Sequence, residues 1–318
     1  MGEFDLIRRY FASQPATDSV PLGIGDDCAL LQIPAGQQLA VSIDSLIEGT
    51  HFLPGTDPAR LAERLLGASV SDLAAMGATP LWFTLALTLP EATEAWLEPF
   101  ARRLAERARE LDIVLVGGDT TRGPLALSAQ VHGAVAPGKA LTRKGAQPGD
   151  LICVTGTLGD SAGGLQTLFD KLPTDATVEY LQQRYFCPQP RLAAGQQLAG
   201  FASACLDISD GLLGDLNHIL NAAEQPIGAQ ITAHDVPLSE QLVAQYGEIQ
   251  ARKWALTGGE DFELCFTLPS QHRTLLAELT TAVTVVGEII ERPGIYLQYP
   301  DGQLISADPK GFNHFAAE

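Results

Sequence analysis

The chain has 318 residues, 46% of them hydrophobic and 18% charged, with 31 Gly and 20 Pro. That length suggests about two domains, and the composition excludes a disordered, collagenous or coiled-coil chain. With 38 acidic residues against 20 Lys plus Arg the net charge is −18, which repels phosphate backbones and argues against a general nucleic-acid binder. Such a protein still binds anionic phosphates when divalent metals stand between them and its carboxylates.

Gln38 to Asp44 (QLAVSID) reads as an apolar strand ending in a carboxylate. Asp57-Pro58 offers a helix N-cap with proline at the first helical position. The helix it opens carries Leu61, Leu65, Ala68 and Asp72 on one stripe and stops near Gly77. Leu81 to Leu89 reads as a strand. Glu91 to Leu111 is a second helix, with Trp96, Phe100 and Leu104 in register. Ile113 to Val116 is a short buried strand that exits into Gly117-Gly118-Asp119, and Leu125 to Val135 is another strand.

From Pro137 to Pro148 glycine, proline and cations mark a domain boundary, so the expected units are 1–137 and 138–318. The second half restarts with a strand, Asp150 to Thr155, followed by a Gly-rich turn, GTLGDSAGG, opening a helix. Gly156 to Gly164 is there a candidate phosphate cradle at a helix N-terminus. Ala202 to Leu206 runs as a strand into DISDGL, Trp254 to Thr257 reaches GGEDFEL, and Val283 to Val286 is a late strand. No fixed-period repeat occurs, and the fold class is α/β or α+β.

Cys28, Cys153, Cys187, Cys205 and Cys265 are odd in number and form no Cys-x-x-Cys pair, so neither a zinc signature nor a disulfide framework is present. No apolar run approaches the ~18 residues of a membrane span, and MGEFDLIRRYF lacks a signal-peptide core. The expectation is a soluble cytoplasmic protein with no membrane partner.

Carboxylates recur beside glycines or at the ends of apolar runs: Asp26 and Asp27, Asp44, Asp119, Asp207 and Asp210, Glu260 and Asp261, with Asp72 added from a helix. Mg²⁺ is held by one or two carboxylates plus substrate phosphates, and adjacent glycine lets backbone N–H groups approach a phosphate. Five such turns in one chain favour a shared metal–phosphate site over a set of ordinary caps. No P-loop, completed dinucleotide fingerprint or protein-kinase signature is present. His51 is a candidate hydrogen-bond donor to a phosphate or a proton shuttle, and Arg122 and Arg143 are candidate phosphate clamps.

Taken together, GIGDDCAL, SIDSLIEGTHF, SDLAAMGATP, GGDTTRGP, LTRKGAQPGD, DISDGL, GGEDFEL and GFNHF resemble the thiamine-monophosphate kinase family, in that family's order and over nearly the whole chain. That family belongs to the aminoimidazole ribonucleotide synthetase-like ATP-binding superfamily. The resemblance implies transfer of the ATP γ-phosphate to thiamine monophosphate with several Mg²⁺ ions. It implies two α/β domains, the first binding ATP and metal and pairing with a second copy into a dimeric β-barrel, and an active site in the cleft between domains.

Carried over by position, Asp27, Ser42, Ile43, Asp44, Asp72, Asp119, Asp207 and Asp210 resemble metal ligands, with Asp44, Asp119 and Asp210 central to catalysis. Gly118, Asp119, Arg143 and Ser209 resemble ATP-binding positions, and His51, Glu260 and Phe312 those that hold the acceptor. Ile43 replaces the family's usual Thr, which leaves a backbone carbonyl contact in place of a hydroxyl. The alternatives are a related superfamily enzyme, of the aminoimidazole ribonucleotide synthetase or selenophosphate synthetase type, and a non-catalytic acidic metal binder. The first would consume ATP with a different acceptor; the second leaves the glycine pairs unexplained.

Overall fold

The computed structural model describes residues 3–11 and 18–309 and divides into two compact units. The first comprises 1–73 and 78–138; the second comprises 139–318 together with the four residues Ala74–Gly77.

In the first unit, α1 (Glu3–Tyr10) precedes β1 (Gln38–Ile47), α2 (Pro58–Ala75), β2 (Thr79–Leu89), α3 (Glu94–Glu110), β3 (Val114–Arg122) and β4 (Ala126–Val135). The strands form one open sheet in the order β1-β4-β2-β3, with β2 and β3 parallel and the other pairs antiparallel. This four-stranded sheet is not closed into a barrel. Asp57 caps α2 as expected: its Oδ1 accepts from Ala59 N at 2.8 Å, and Leu61 N donates to its carbonyl. The single stripe expected of α2 is too narrow, because Leu61, Ala62, Arg64, Leu65, Leu66, Val70 and Leu73 are all buried. On α3, Trp96 stacks on fully buried Phe100 with ring centroids 4.8 Å apart. Arg103 bridges from α3 to Glu63 of α2 and pairs with Glu110 of its own helix.

Two strands outrun their sequence boundaries. β1 continues through Asp44 to Ile47, and β3 continues through Gly117-Gly118-Asp119 to Arg122. The backbone ladder does not depend on hydropathy, so Asp44 pairs with Ala129 and Asp119 with Ala86 in mid-strand. Gly118 (φ 157°) is required at its position, since a Cβ would lie 1.9 Å from the Leu85 carbonyl oxygen.

The period of two divides β1 cleanly. Ser42 and Asp44 lie on one face with buried Leu46, whereas Leu39, Val41, Ile43 and Ile47 are exposed on the other, Ile43 at 62%.

The second unit holds a seven-stranded mixed sheet in the order β11-β10-β7-β9-β5-β8-β6. Its strands are β5 (Asp150–Thr155), β6 (Ala204–Asp207), β7 (Gly228–Thr232), β8 (Leu264–Pro269), β9 (Val283–Ile290), β10 (Gly294–Gln298) and β11 (Leu304–Ala307). Its helices are α4 (Asp160–Phe169), α5 (Ala176–Phe186), α6 (Leu192–Leu198), α7 (Leu212–Ala222) and α8 (Glu240–Thr257). One core cluster joins Ile152, Val154, Leu206 and Cys265 to the apolar side of α7 at Leu212, Leu216 and Ile219. A second joins Cys153, Cys205 and Phe266 to Ala194 and Leu198 of α6. Four of the five thiols are buried and Cys28 is exposed. Among the described residues no helix is long and apolar enough to cross a membrane.

Phe100→Ala is expected to destabilise the protein by about 3–5 kcal/mol, since it deletes a fully buried ring and leaves a cavity. Urea unfolding of variant and parent measures it; a loss below about 1 kcal/mol would contradict the packing described.

Candidate functional site

In the first unit, β1 and α2 bring Ser42, Asp44 and Asp72 together. The Ser42 hydroxyl donates to Asp72 Oδ2. Burial, and then the charge of Asp72, push the Asp44 carboxyl up to about 6, against a hydrogen bond from Ser69 that lowers it. Two carboxylates so placed resist ionising together unless a cation lies beside them. A hydroxyl and two carboxylates are the hard oxygen donors that Mg²⁺ prefers. Ile43 sits between these residues in sequence, yet its side chain is on the opposite face.

A second grouping lies at β3. Asp26, Asp27, Cys28, Gly118 and Asp119 line a cavity of about 510 Å³, whose apolar wall includes Ile7 and Phe11 of the N-terminal segment with Leu85, Leu115 and Val116. A lining that combines carboxylates and glycine backbone with aliphatic and aromatic side chains suits a molecule carrying both polar and apolar groups. The part played by Ile7 and Phe11 was not legible in the sequence, because α1 has no motif beyond amphipathic spacing.

His51 follows the turn at Gly49 (φ 82°), where Gly49 N donates to Phe52 O at 2.8 Å. Its Nδ1 accepts from Ile47 N at 3.1 Å, and Arg64 Nη2 donates to its carbonyl oxygen. A neutral ring whose Nδ1 accepts carries its proton on Nε2, the kind of donor that suits a phosphate oxygen.

In the second unit, Asp207 closes β6 and is 7% exposed, and Ser209 and Asp210 follow on the turn into α7. Asp215, which the sequence reading passed over, organises this turn. Its Oδ2 accepts from the backbone N–H groups of Ser209, Asp210 and Gly211 at 3.0, 2.9 and 3.0 Å. Burial pushes its carboxyl up to about 6. One oxygen each from Asp210 and Asp215 and a ring nitrogen of His218 lie within 4.8 Å of one another. The one sequence signal for Asp215 is an acid in the first turn of a helix preceded by Gly211, its N-cap.

At the Gly156–Gly164 turn the helix start already holds an anion of the protein's own. The N–H groups of Gly159 and Ser161 at the start of α4 donate to Asp261, at 2.6 and 3.1 Å. Asp261 is 3% exposed, and burial pushes its carboxyl up to about 7. Two of the N–H groups that would attract a phosphate are thus engaged by the protein's own carboxylate. Beside it Glu263 accepts from Arg184 Nη2 at 2.8 Å, Arg191 Nε at 2.6 Å and Thr155 Oγ1 at 2.6 Å. Burial raises Glu263, but Arg191 and Arg184 outweigh it and hold its carboxyl below the ordinary range. Glu260 lies between this anchored pair and the Ser209 turn, Arg143 is exposed in the segment leading to β5, and Phe312 lies outside the described residues.

Residues 25–135 match the N-terminal-domain model of AIR synthase related proteins, and residues 147–300 match the corresponding C-terminal-domain model. The chain is 48% identical to the thiamine-monophosphate kinase of Escherichia coli K12 over 322 residues, covering 99% of this chain and 98% of that protein. It is 44% identical to the Haemophilus influenzae enzyme of the same name, at 99% and 98% coverage. The crystal structure of thiamine-monophosphate kinase from Stenotrophomonas maltophilia superposes with a TM-score of 0.85 at 42% identity, covering 95% of this chain and 96% of that one. A structure described as AaThiL complexed with AMPPCP and TMP superposes with a TM-score of 0.80 at 30% identity, over 99% and 97%.

Asp44, Asp215 and Asp261 all titrate above their unfolded value of about 4. The folded state therefore holds extra protons between about pH 4 and 7. Stability from these groups is complete below about 4 and is lost as pH rises through 6 to 7. Metal-free protein is expected to melt higher at pH 6 than at pH 8, read by differential scanning fluorimetry. A higher melting temperature at pH 8 would contradict the burial of these carboxylates.

Proposed function

The chain belongs to the thiamine-monophosphate kinase family of AIR synthase related proteins, and we propose that it transfers the γ-phosphate of ATP to thiamine monophosphate, giving thiamine diphosphate. Identity of 48% along essentially the whole chain supports the kinase over other enzymes of this fold, and the relative complexed with AMPPCP and TMP supports both substrates. The hydrogenase maturation protein HypE, at 22% identity, shares the fold alone.

The observation that carries the reading is the paired Asp44 and Asp72 with Ser42. The acceptor oxygen of a phosphate monoester is already ionised at neutral pH, so no strong general base is required. What the reaction requires is alignment of two polyanions and relief of their repulsion. Bound Mg²⁺ would supply that charge neutralisation, held by Asp27, Asp44, Asp72 and Asp119 with Ser42 and the Ile43 carbonyl, and by Asp207 and Asp210. Gly118 and Asp119 would face the nucleotide in the cavity of the first unit, with Ile7 and Phe11 against its base. Arg143 and Ser209 would contact its phosphates. His51 would donate Nε2–H to the acceptor's phosphate, while Glu260 and the ring of Phe312 suit the permanently cationic thiazolium.

The exposed apolar face of β1 is the surface through which this reading pairs the chain with a second copy of itself. Leu39, Val41 and Ile43, with Ile47 beyond Ser45, form an apolar row that one chain leaves open to water, and burying it is favourable at roughly 25 cal/mol per Å².

Thiamine diphosphate formation is expected to require Mg²⁺ and to stop with chelator; full activity without divalent metal would refute the carboxylate–metal reading. Asp44→Asn is expected to lower kcat by about two to three orders of magnitude, the ~3–4 kcal/mol lost with one charge-stabilising group, at near-parental melting temperature. Near-parental kcat would reduce Asp44 to a structural role.

Val41→Asp places a charge on the open face and is expected to convert a dimer to a monomer of 33.8 kDa. Light scattering at micromolar concentration decides it; an unchanged mass would remove this face as the contact.

A further inference from the structure

We infer that Asp261 is a positioning residue: from beneath the surface of the second unit it fixes the place of Glu260 relative to Ser209. The inference rests on the functional reading above, in which Glu260 meets the acceptor and Ser209 the nucleotide.

The segment from Gly258 to Glu263 links α8 to β8 through an uncommon backbone path. Glu260 (φ 68°) and Phe262 (φ 50°) are both left-handed, a conformation that side-chain-bearing residues rarely adopt. Such residues persist when their surroundings over-determine them. Here the determinant lies between them, because Asp261 spans Gly159 N and Ser161 N with its two oxygens. The start of α4 is a socket whose dipole favours that anion.

The same segment is zipped to the DISDGL turn by three backbone hydrogen bonds. Glu260 N donates to Ser209 O at 2.8 Å, Phe262 N to Ile208 O at 2.9 Å, and Ile208 N to Glu263 O at 2.7 Å. Gly259 permits the approach, since a Cβ there would lie 2.5 Å from the Ser209 oxygen. The two sides of this zipper are anchored differently. Ser209 is held by Asp215 through its own N–H, and Glu263 by its two arginines. Glu260 shares the Ser209 bond, but its left-handed backbone, like that of Phe262, is set by the Asp261 pin between them. Weakening the pin therefore moves Glu260 and leaves Ser209 in place.

Asp261→Asn tests this, because the amide keeps the volume but turns one acceptor into an NH₂ group facing a backbone N–H. The expected result is at least a tenfold fall in kcat/KM for thiamine monophosphate, through a raised KM, while KM for ATP stays within twofold. Hydrogen exchange at the Gly159 and Ser161 amides is expected to accelerate. In a Glu260→Gln background, adding Asp261→Asn is expected to change the acceptor KM by less than twofold, because the two act in series. Effects that multiply independently, or an acceptor KM unchanged despite faster exchange, overturn the inference and leave Asp261 as a helix cap. Wild-type protein that forms no thiamine diphosphate overturns the functional reading and this inference with it; an active wild type with multiplying effects overturns this inference alone.

Discussion

Carboxylates that must be ionised to be useful also repel one another, and in a chain of net charge −18 that repulsion governs how each unit is built. The second unit meets it with its own donors, although burial still raises Asp215 to about 6 and Asp261 to about 7. Glu263 is surrounded by Arg184, Arg191 and Thr155, and Asp215 and Asp261 take backbone N–H groups at the starts of α7 and α4. The first unit leaves it unresolved at Asp44 and Asp72, where a serine hydroxyl is the neighbour rather than a guanidinium. A charge conflict kept inside a folded protein is costly unless something relieves it. Its persistence at the pair the motifs single out is the physical reason to expect a cation there.

The same bookkeeping separates structural from functional acids. Asp261 looks in sequence like a partner of Glu260, two adjacent acids in a Gly-Gly turn. In the fold Asp261 is 3% exposed and engaged by α4, whereas Glu260 is half-buried. The glycine-rich turn at 156–164 misleads for a related reason. A helix N-terminus attracts an anion whatever its source, and a carboxylate about a hundred residues away in sequence supplies one here. Local pattern shows that an anion belongs at such a place; it does not show whether the protein brings its own.

Much of the fold was legible because hydrophobic period and turn chemistry are local. The Asp57 cap of α2, the Trp96–Phe100 stripe of α3 and the strands around 81–89 and 125–135 follow from them. The ends of β1 and β3 were not legible, since Asp44 and Asp119 interrupt the apolar pattern while the ladder with β4 and β2 carries on. The candidate residues were legible as carboxylates beside glycines or at the ends of apolar runs. Spacing did not join Ser42, Asp44 and Asp72, which come from a strand and a helix; the family resemblance alone put them together. Asp215 and the arginines of Glu263 belong to long-range or unmarked contacts that no short motif records.

Ile43 shows how strand geometry constrains what a substitution does. Its neighbours Ser42 and Asp44 turn toward the side of Asp72, so the period of two sends the 43 side chain to the open face. A threonine there would carry its hydroxyl away from the Asp72 side, so the group that residue 43 offers on that side is its backbone with either side chain. The isoleucine instead adds apolar area to the row of Leu39, Val41 and Ile47. The exchange therefore favours whatever covers that face, while the Ser42–Asp44–Asp72 grouping keeps its three oxygen-bearing side chains. One position thus serves two surfaces, its backbone lying beside the carboxylates and its side chain on the face proposed to meet a second copy.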